Sequence, residues 1–388
     1  MKRILVLVLA FLAFTGHAVA AEKIKIGLLV SMTGTWSLLG AEQERGMRAA
    51  LKNLGGKMGG IPVEVVVIDD QSKPNIGVQN AKKLIELHKV DIITGATASS
   101  TLVAIAKPIS DTGTFLISGN AGPSPLAGKG CLENVFVASW QNDSAAAAIG
   151  AHMSRVAKRV YFLGANYQAG WDWVNGAIGA FKGKTAAKRF VPLGTVDFSS
   201  VVAQIRSSKA DGVYAFVVGS ALVAFVKQYD RSGMKRRVPL YAGMFLADDL
   251  TFKAQGKSAL GLVLSTHWYP KMDNAANKKF TATFRAMYGR NPAMYAQQQY
   301  DAFMLIDSAV RAVKGKIEDK KAFRTALRAA NFQSTRGKFR FNNNHFPIQD
   351  YFIVKVVRNA KGKLEHKLVG TALKDYKDPY GGKCAMRW

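Results

Sequence analysis

Residues 95–122 read G-A-T-A-S-S-T-L-V-A-I-A-K-P-I-S-D-T-G-T-F-L-I-S-G-N-A-G, and the fold turns on them. A short apolar run at 90–94 predicts a strand, 99–110 a helix, 114–118 a second strand, and an open loop follows. In a parallel α/β unit the ligand lies outside the carboxyl ends of such strands. The loops 96–99 and 119–122 fall at those ends. The first runs into a helix start rich in Ser and Thr, where free backbone N–H groups and the positive end of the helix dipole make an anion site. No nucleophile with a neighbouring base occurs in the stretch. It is expected to hold a small polar or anionic group and to do no chemistry on it.

The same rhythm extends outward. Residues 23–31 predict an opening strand, 32–40 a loop with Trp36 at its tip, 41–54 a helix ending at Gly55-Gly56, and 61–68 a strand ending at Asp69-Asp70. Pro74 opens the next helix. A strand at 135–139 leads into a second βα series, with strands at 160–163, 190–193, 212–217, 238–242 and 260–266. Alternation of this kind predicts parallel sheets with right-handed crossovers. After Asp273 three helices follow in a row, at 275–288, 294–313 and 320–330, and then strands at 337–341 and 351–357. The fold class is α/β, as two doubly wound units.

With 388 residues and 48% hydrophobic content the chain suits two domains. Residues 1–20 read as a signal peptide: basic Lys2 and Arg3, an apolar stretch at 4–14, and Ala18-Val19-Ala20 as the cleavage pattern. Cleavage after Ala20 and a periplasmic location are therefore expected. No other run is apolar for long enough to span a bilayer. Two cysteines, Cys131 and Cys384, read as one disulfide in an oxidising compartment, or else as two separate buried thiols. The net charge of +28 raises the question of nucleic acid. Its Lys and Arg residues are scattered over helix faces, with no basic tail or aromatic nucleic-acid motif, so no nucleic-acid partner is expected. G-x-S-x-G, H-E-x-x-H, the P-loop and a strand-borne G-x-G-x-x-G are all missing from the sequence. Without Cys–His clustering there is no case for a zinc site. The expectation is a binding protein with no cofactor, no metal and no enzymatic activity.

The opening I-K-I-G-L-L-V-S-M-T-G, Asp69-Asp70-Gln71 followed by Pro74, G-A-T-A-S-S-T, I-S-G-N-A-G, Y-Q-A-G at 167–170, D-F-S-S-V-V-A-Q-I at 197–205 and Y-D-A at 300–302 come in an order and spacing that resemble one family. This is the exported solute-binding proteins of ABC importers, in the branch that includes branched-chain amino-acid binders (type I periplasmic binding proteins). The resemblance spans essentially the whole mature chain. It implies two lobes joined by three crossovers, with a cleft that closes on a small-molecule ligand by hinge motion. Lobe one would be 21–140 plus 268–350, and lobe two 141–267 plus 351–388. The partners implied are ABC permease subunits in the inner membrane, and the state implied is a monomer. Carried over, the ligand carboxylate is held at Ala98, Ser99, Ser100 and Thr101, with Asn120, Ala121 and Gly122 from the next loop and Thr33, Thr35, Trp36 and Ser37 from the first. Lobe two contributes Tyr167, Gln168, Gly219, Met244 and Phe245.

Amino-acid binders of this family place an acidic side chain in lobe two against the ligand ammonium. The matching segment here, Tyr241-Ala242-Gly243-Met244-Phe245-Leu246, has none, and Gly219 replaces a tyrosine. A buried ammonium without a counter-charge is costly; Asp248 and Asp249 lie close enough in sequence to supply one. The other candidates, Trp36, Tyr167, Met244, Phe245 and Trp268, are apolar or aromatic. S-G-N-A-G-P-S-P, S-W-Q-N-D and F-N-N-N-H-F-P-I-Q-D resemble a sub-branch linked with aromatic carboxylates. The favoured ligand is a hydrophobic, aromatic carboxylate. A branched-chain amino acid, an amide, or a sensory role in presenting a ligand to a receptor remain the alternatives. Ser99–Thr101 equally serve as a plain helix start, Trp140 and Trp268, beside the implied crossovers, as hinge packing, and His345 as a packed or surface residue.

Overall fold

The structure is a computed structural model and describes residues 23–387. The expected signal peptide lies outside the described residues. In chain order the first part comprises β1 (Ile24–Val30), α1 (Ser37–Asn53), β2 (Lys57–Met58), β3 (Ile61–Asp69), α2 (Pro74–Glu86), β4 (Ile92–Gly95), α3 (Ser99–Asp111), β5 (Phe115–Ser118), α4 (Ser124–Ala127) and β6 (Val135–Val137). Their sheet runs β2-β3-β1-β4-β5-β6, parallel except for β2. The order reverses between β1 and β4. Such a switch point opens a crevice at the strand ends. Leu29, Gly95 and Ser118 stand side by side in register, so β1, β4 and β5 deliver their following loops to one edge.

The second series repeats the plan with α5 (Asn142–Val156), β7 (Arg159–Ala165), α6 (Gln168–Ala180), β8 (Lys184–Val191), α7 (Ser199–Ser207), β9 (Gly212–Phe216), α8 (Ser220–Arg231), β10 (Leu240–Gly243), α9 (Phe252–Gln255) and β11 (Val263–Thr266). The chain then gives α10 (Ala275–Tyr288), α11 (Met294–Ala312), α12 (Lys320–Ala329), β12 (Arg340–Phe341), β13 (Pro347–Arg358) and β14 (Leu364–Tyr376). The second sheet is β12-β13-β11-β10-β9-β7-β8, with β14 on β13, and its switch point lies between β7 and β9. Helices α10 and α11 return to the first lobe, where Gly46 on α1 lets the Ala296 carbonyl approach to 2.1 Å of where a Cβ would sit.

The passages between lobes are tied by one buried cation. Arg336 is 1% exposed and pairs with the fully buried Asp301 at 3.0 Å. Its Nη1 donates to the Ser139 carbonyl at 2.7 Å and to Gln349 Oε1 at 2.8 Å, and its Nη2 donates to the Ala138 carbonyl. Gln349 Nε2 donates to the same Ser139 carbonyl and to Tyr351. His267 lies against Trp140, and burial together with the Arg336 charge holds its imidazole well below the usual range, so it is neutral. His345 is a packed residue, stacked on Phe136. Cys131 and Cys384 form a disulfide that fastens the segment after β14 to the first lobe.

Candidate functional site

Three loops of the first lobe face three of the second. Trp36 follows β1, Ala96–Ala98 follows β4, and Asn120–Ala121 follows β5. Opposite them stand Tyr167 after β7, Val218–Gly219 after β9, and Phe245 after β10. Between them is an inner slot of about 40 Å³ lined by Trp36, Thr97, Ser99, Asn120, Ala121, Trp140, Asn142, Tyr167, Trp173, Phe216, Phe245 and Tyr295, among others. The rings form a connected wall. Trp36 meets Tyr167 across the lobes at 5.2 Å between centroids, Trp173 stacks on Phe216 at 5.3 Å, and Phe245 meets Phe216 at 4.8 Å. A slot this narrow has room for a few waters, so a ring-sized molecule enters as the lobes part.

The floor of the slot is polar. No side chain caps α3, so its first-turn N–H groups are left for another partner. Ser99 Oγ accepts Asn142 Nδ2 at 3.2 Å. The same amide nitrogen donates to Asp172 Oδ2 at 2.9 Å, which also takes the Ser124 N–H at 3.0 Å. Burial pushes the Asp172 carboxyl up, and burial pushes Asp143, bonded to Ser124 and Tyr380, to about 7. These bonds join first-lobe segments to α5 and α6. Gly170 makes the α6 start possible, since a Cβ there would lie 1.8 Å from the Ala165 carbonyl oxygen. Among the described residues that line the slot there is no Asp, Glu, Lys or Arg.

The slot thus gathers Trp36, Ser99, Asn120, Ala121, Tyr167 and Phe245 of the residues expected from sequence. A second cavity of about 340 Å³ adjoins it and is lined by Thr35, Ser37 and Gly219, with Phe245 shared. The other candidates lie elsewhere. Thr33 donates its hydroxyl to Asp69 at 2.6 Å on the exposed side. Thr101 turns towards α2, its Cγ2 2.8 Å from where a Cβ on Gly77 would be. Ala98 is the buried residue preceding α3, and Ser100 is half-buried. Both sit at the helix start, where backbone N–H groups rather than side chains are on offer. Gly122 is pressed against the Trp140 carbonyl, Gln168 is spent on Asp172 at 2.9 Å, and Met244 is core. Trp268 is a core residue too, fully buried with its indole N–H on Asn277 at 2.7 Å.

Sequence reasoning missed Asn142, Trp173, Phe216 and Tyr295, and assigned Trp140 to hinge packing. Phe216 had a signal: it is the aromatic last residue of a parallel strand. Tyr295 had less, because α11 belongs to a helical run with no strand before it.

A family model for periplasmic binding proteins matches residues 23–363. The chain belongs to the periplasmic binding protein family. It is a periplasmic solute-binding protein of the ABC-transporter type, a transport-associated class and not an enzyme. A benzoate-bound solute-binding protein from R. palustris is 31% identical, with a TM-score of 0.86 over 92% of this chain and 99% of that one. A leucine-binding protein from Thermotoga maritima is 25% identical, with a TM-score of 0.78 over 89% and 97%. Leu/Ile/Val-binding protein homolog 6 of Brucella melitensis is 26% identical over 382 residues, 96% of this chain and 97% of that protein.

Gly219 is where the lobes meet at the mouth. Its φ is +62°, and a Cβ would stand 3.1 Å from both Cγ2 and the carbonyl oxygen of Thr35 on the opposite lobe. A side chain here strains the backbone by about 1–3 kcal/mol and props the lobes apart. Gly219→Val is expected to weaken ligand binding about tenfold or more, read by calorimetry, and to raise the radius of gyration of the liganded protein. Unchanged affinity would mean that closure does not bring Gly219 onto Thr35.

Proposed function

We propose that this protein captures a small hydrophobic, aromatic carboxylate in the periplasm and delivers it to the permease subunits of an ABC importer. The observation that carries the reading is the inner slot: an uncapped helix start with Ser99 on one side, a wall of aromatic rings on the other, and no charged side chain among its described lining residues. Helix N-termini hold carboxylates, and ring-lined clefts take flat apolar bodies. The benzoate complex of the R. palustris relative supports the same class. An α-amino acid would bring its ammonium into a slot with no counter-charge, which is unfavourable. This weighs against a leucine-type ligand despite the names of the other relatives.

In this reading lobe one is 21–140 plus 268–350, and lobe two is 141–267 plus 351–388. The chain acts as a monomer after cleavage behind Ala20. The ligand carboxylate meets Ser99 and the first-turn N–H groups of α3 in the open state. Closure then brings Tyr167 and Phe245 over the ring, opposite Trp36, with Asn120 and Ala121 as the side wall.

The experiment is a thermal-shift and calorimetry series on ligand-stripped protein with benzoate, leucine and valine. Benzoate is expected to raise the melting temperature through native-state binding. Ser99→Ala is expected to lose about tenfold in affinity, since a hydrogen bond to a charged group contributes about 1.5–3 kcal/mol. A rise with leucine and none with benzoate sinks the reading.

A further inference from the structure

Next to Ser99 lie two buried carboxyl groups that share one serine. Ser124 donates its hydroxyl to Asp143 Oδ1 and its N–H to Asp172 Oδ2, each at 3.0 Å. Asp143 is 8% exposed and Asp172 is 6% exposed. Their other partners are neutral: Asn142 and Gln168 donate to Asp172, and Tyr380 donates to Asp143. A third carboxyl, Asp378 on the tail, accepts from Asn342, Asn344 and the Tyr380 N–H. Tyr214 of β9 and Tyr376 of β14 feel the Asp143 charge, and Tyr167 feels that of Asp172, but all three are uncharged phenols. Among the described residues no Lys, Arg or His forms an ion pair with any of the three carboxyl groups. Lys383, the cation beside Tyr380, lies over its ring at 5.4 Å.

Two carboxyl groups buried on one serine without a cation do not both stay ionised near neutrality. Burial first, with the charges of Asp172 and Asp378 added, holds Asp143 at about 7, and burial raises Asp172 and Asp378 as well. A proton has a place on Asp143 Oδ2, where the half-buried Tyr380 hydroxyl turns from donor to acceptor. The pair is also linked to the ligand end of the slot. Asn142 Nδ2 donates both to Asp172 Oδ2 at 2.9 Å and to Ser99 Oγ at 3.2 Å. A carboxylate received at Ser99 therefore arrives close to Asp172 with only a neutral amide between them. A negative charge added there strengthens the hold of the pair on a proton.

We propose that the protein binds its carboxylate together with a proton, which the Asp143–Asp172 pair takes from solvent as the anion settles on Ser99. This rests on the aromatic-carboxylate reading and deepens it. The site then receives an anion and a proton, a neutral load, which fits a slot with no Lys or Arg among its described lining residues. The sign follows from linkage. Below about pH 6 the pair keeps its proton with or without ligand, and affinity is at its highest. From about pH 7 upward the empty protein loses the proton while the liganded one retains it, so binding must draw a proton in and affinity falls. The ligand's own carboxyl stays ionised over this range.

The test titrates benzoate calorimetrically into the mature protein at pH 7.5, in two buffers of different ionisation enthalpy, and again at pH 6 and pH 9. About half a proton is expected to enter per benzoate at pH 7.5, with affinity falling about tenfold from pH 6 to pH 9. A double variant, Asp143→Asn with Asp172→Asn, is expected to take up no proton and to bind equally at the two pH values. Asp249→Asn is the comparison, because burial holds that carboxyl at about 6 and its partner is Asn291 rather than Ser99. It is expected to keep the wild-type proton count and slope. Should the double variant fail to fold, the wild-type count and Asp249→Asn still decide. Benzoate binding without proton uptake, uptake that survives in the double variant, or uptake lost in Asp249→Asn overturns this inference and leaves the aromatic-carboxylate reading standing. If benzoate binds at none of these pH values, that reading falls and this inference with it.

Discussion

Arg336→Met is expected to lower the unfolding free energy by about 3 kcal/mol, towards the low end of what removing one partner of a buried ion pair costs. Arg336 and Asp301 are both buried, and the guanidinium makes four hydrogen bonds, to Asp301, Ser139, Gln349 and Ala138, with its face on Phe339 at 4.6 Å. The estimate stays low because Asp301 keeps four other donors, from Gln297, Ser334 and two from Thr335. The Ser139 carbonyl also keeps the Gln349 amide, whereas the Ala138 carbonyl is left facing a thioether stem. Urea unfolding at neutral pH measures the effect, through the midpoint at constant slope. A loss below about 0.5 kcal/mol would mean that water takes over the guanidinium's bonds. The position matters beyond stability, since Arg336 joins Ser139, which follows the last strand of the first sheet, to Gln349 on β13 of the second. The same variant should therefore show a changed balance of open and closed forms.

The doubly wound plan was legible because its central strands are continuous apolar runs bounded by loops. I-I-T-G and F-L-I-S are buried at every position, and the strand–helix–strand reading of residues 95–122 holds to within a residue or two. The edges were not legible. β14, thirteen residues long, reads L-E-H-K-L-V-G-T-A-L-K-D-Y and has a single buried residue, so neither an apolar run nor a clean alternation marks it. β8 begins at Lys184, upstream of the expected 190, for the same reason: lysines and half-exposed alanines are how an edge strand is kept from pairing with strangers. The helical run from α10 to α12 was found, but which sheet it covers is a matter of topology rather than local pattern.

The site divides along similar lines. Loop position at a strand's carboxyl end located Trp36, Ser99, Asn120 and Phe245, because it is fixed by the order of elements. Side-chain direction is not so fixed. Ser99, Ser100 and Thr101 are consecutive, yet a helix turns each about a hundred degrees from the last, and Ser99 is the one that lines the slot. Trp268 failed for a related reason. It follows β11, which pairs β10 on one side and the antiparallel β13 on the other, far from the switch point between β7 and β9. The strand ends that serve the slot are the two flanking each reversal of order and the next one out, β5 and β10, so an aromatic after β11 is free to be core.

Replacing both Cys131 and Cys384 by serine is expected to cost about 2–5 kcal/mol of stability. The bond closes a loop of 253 residues, so its main effect is to deny the unfolded chain much of its freedom. The folded tail has anchors of its own. Asp378 accepts Asn344 at 2.9 Å and Asn342 at 3.1 Å, Asn343 donates to the Gly381 carbonyl at 2.9 Å, and Tyr380 donates to Asp143. The double variant should therefore fold, with the tail in place, and unfold at lower urea. Its benzoate affinity should stay within about twofold of wild type, because no residue after Tyr295 lines the slot. Equal midpoints for the two proteins would show that the unfolded chain is already compact enough for the crosslink to remove little entropy. A large loss of affinity would carry a different meaning. The tail reaches Asp143 at the head of α5, beside the Asn142 that bonds Ser99, so the strap would then be holding the floor of the slot in shape as well as holding the chain together.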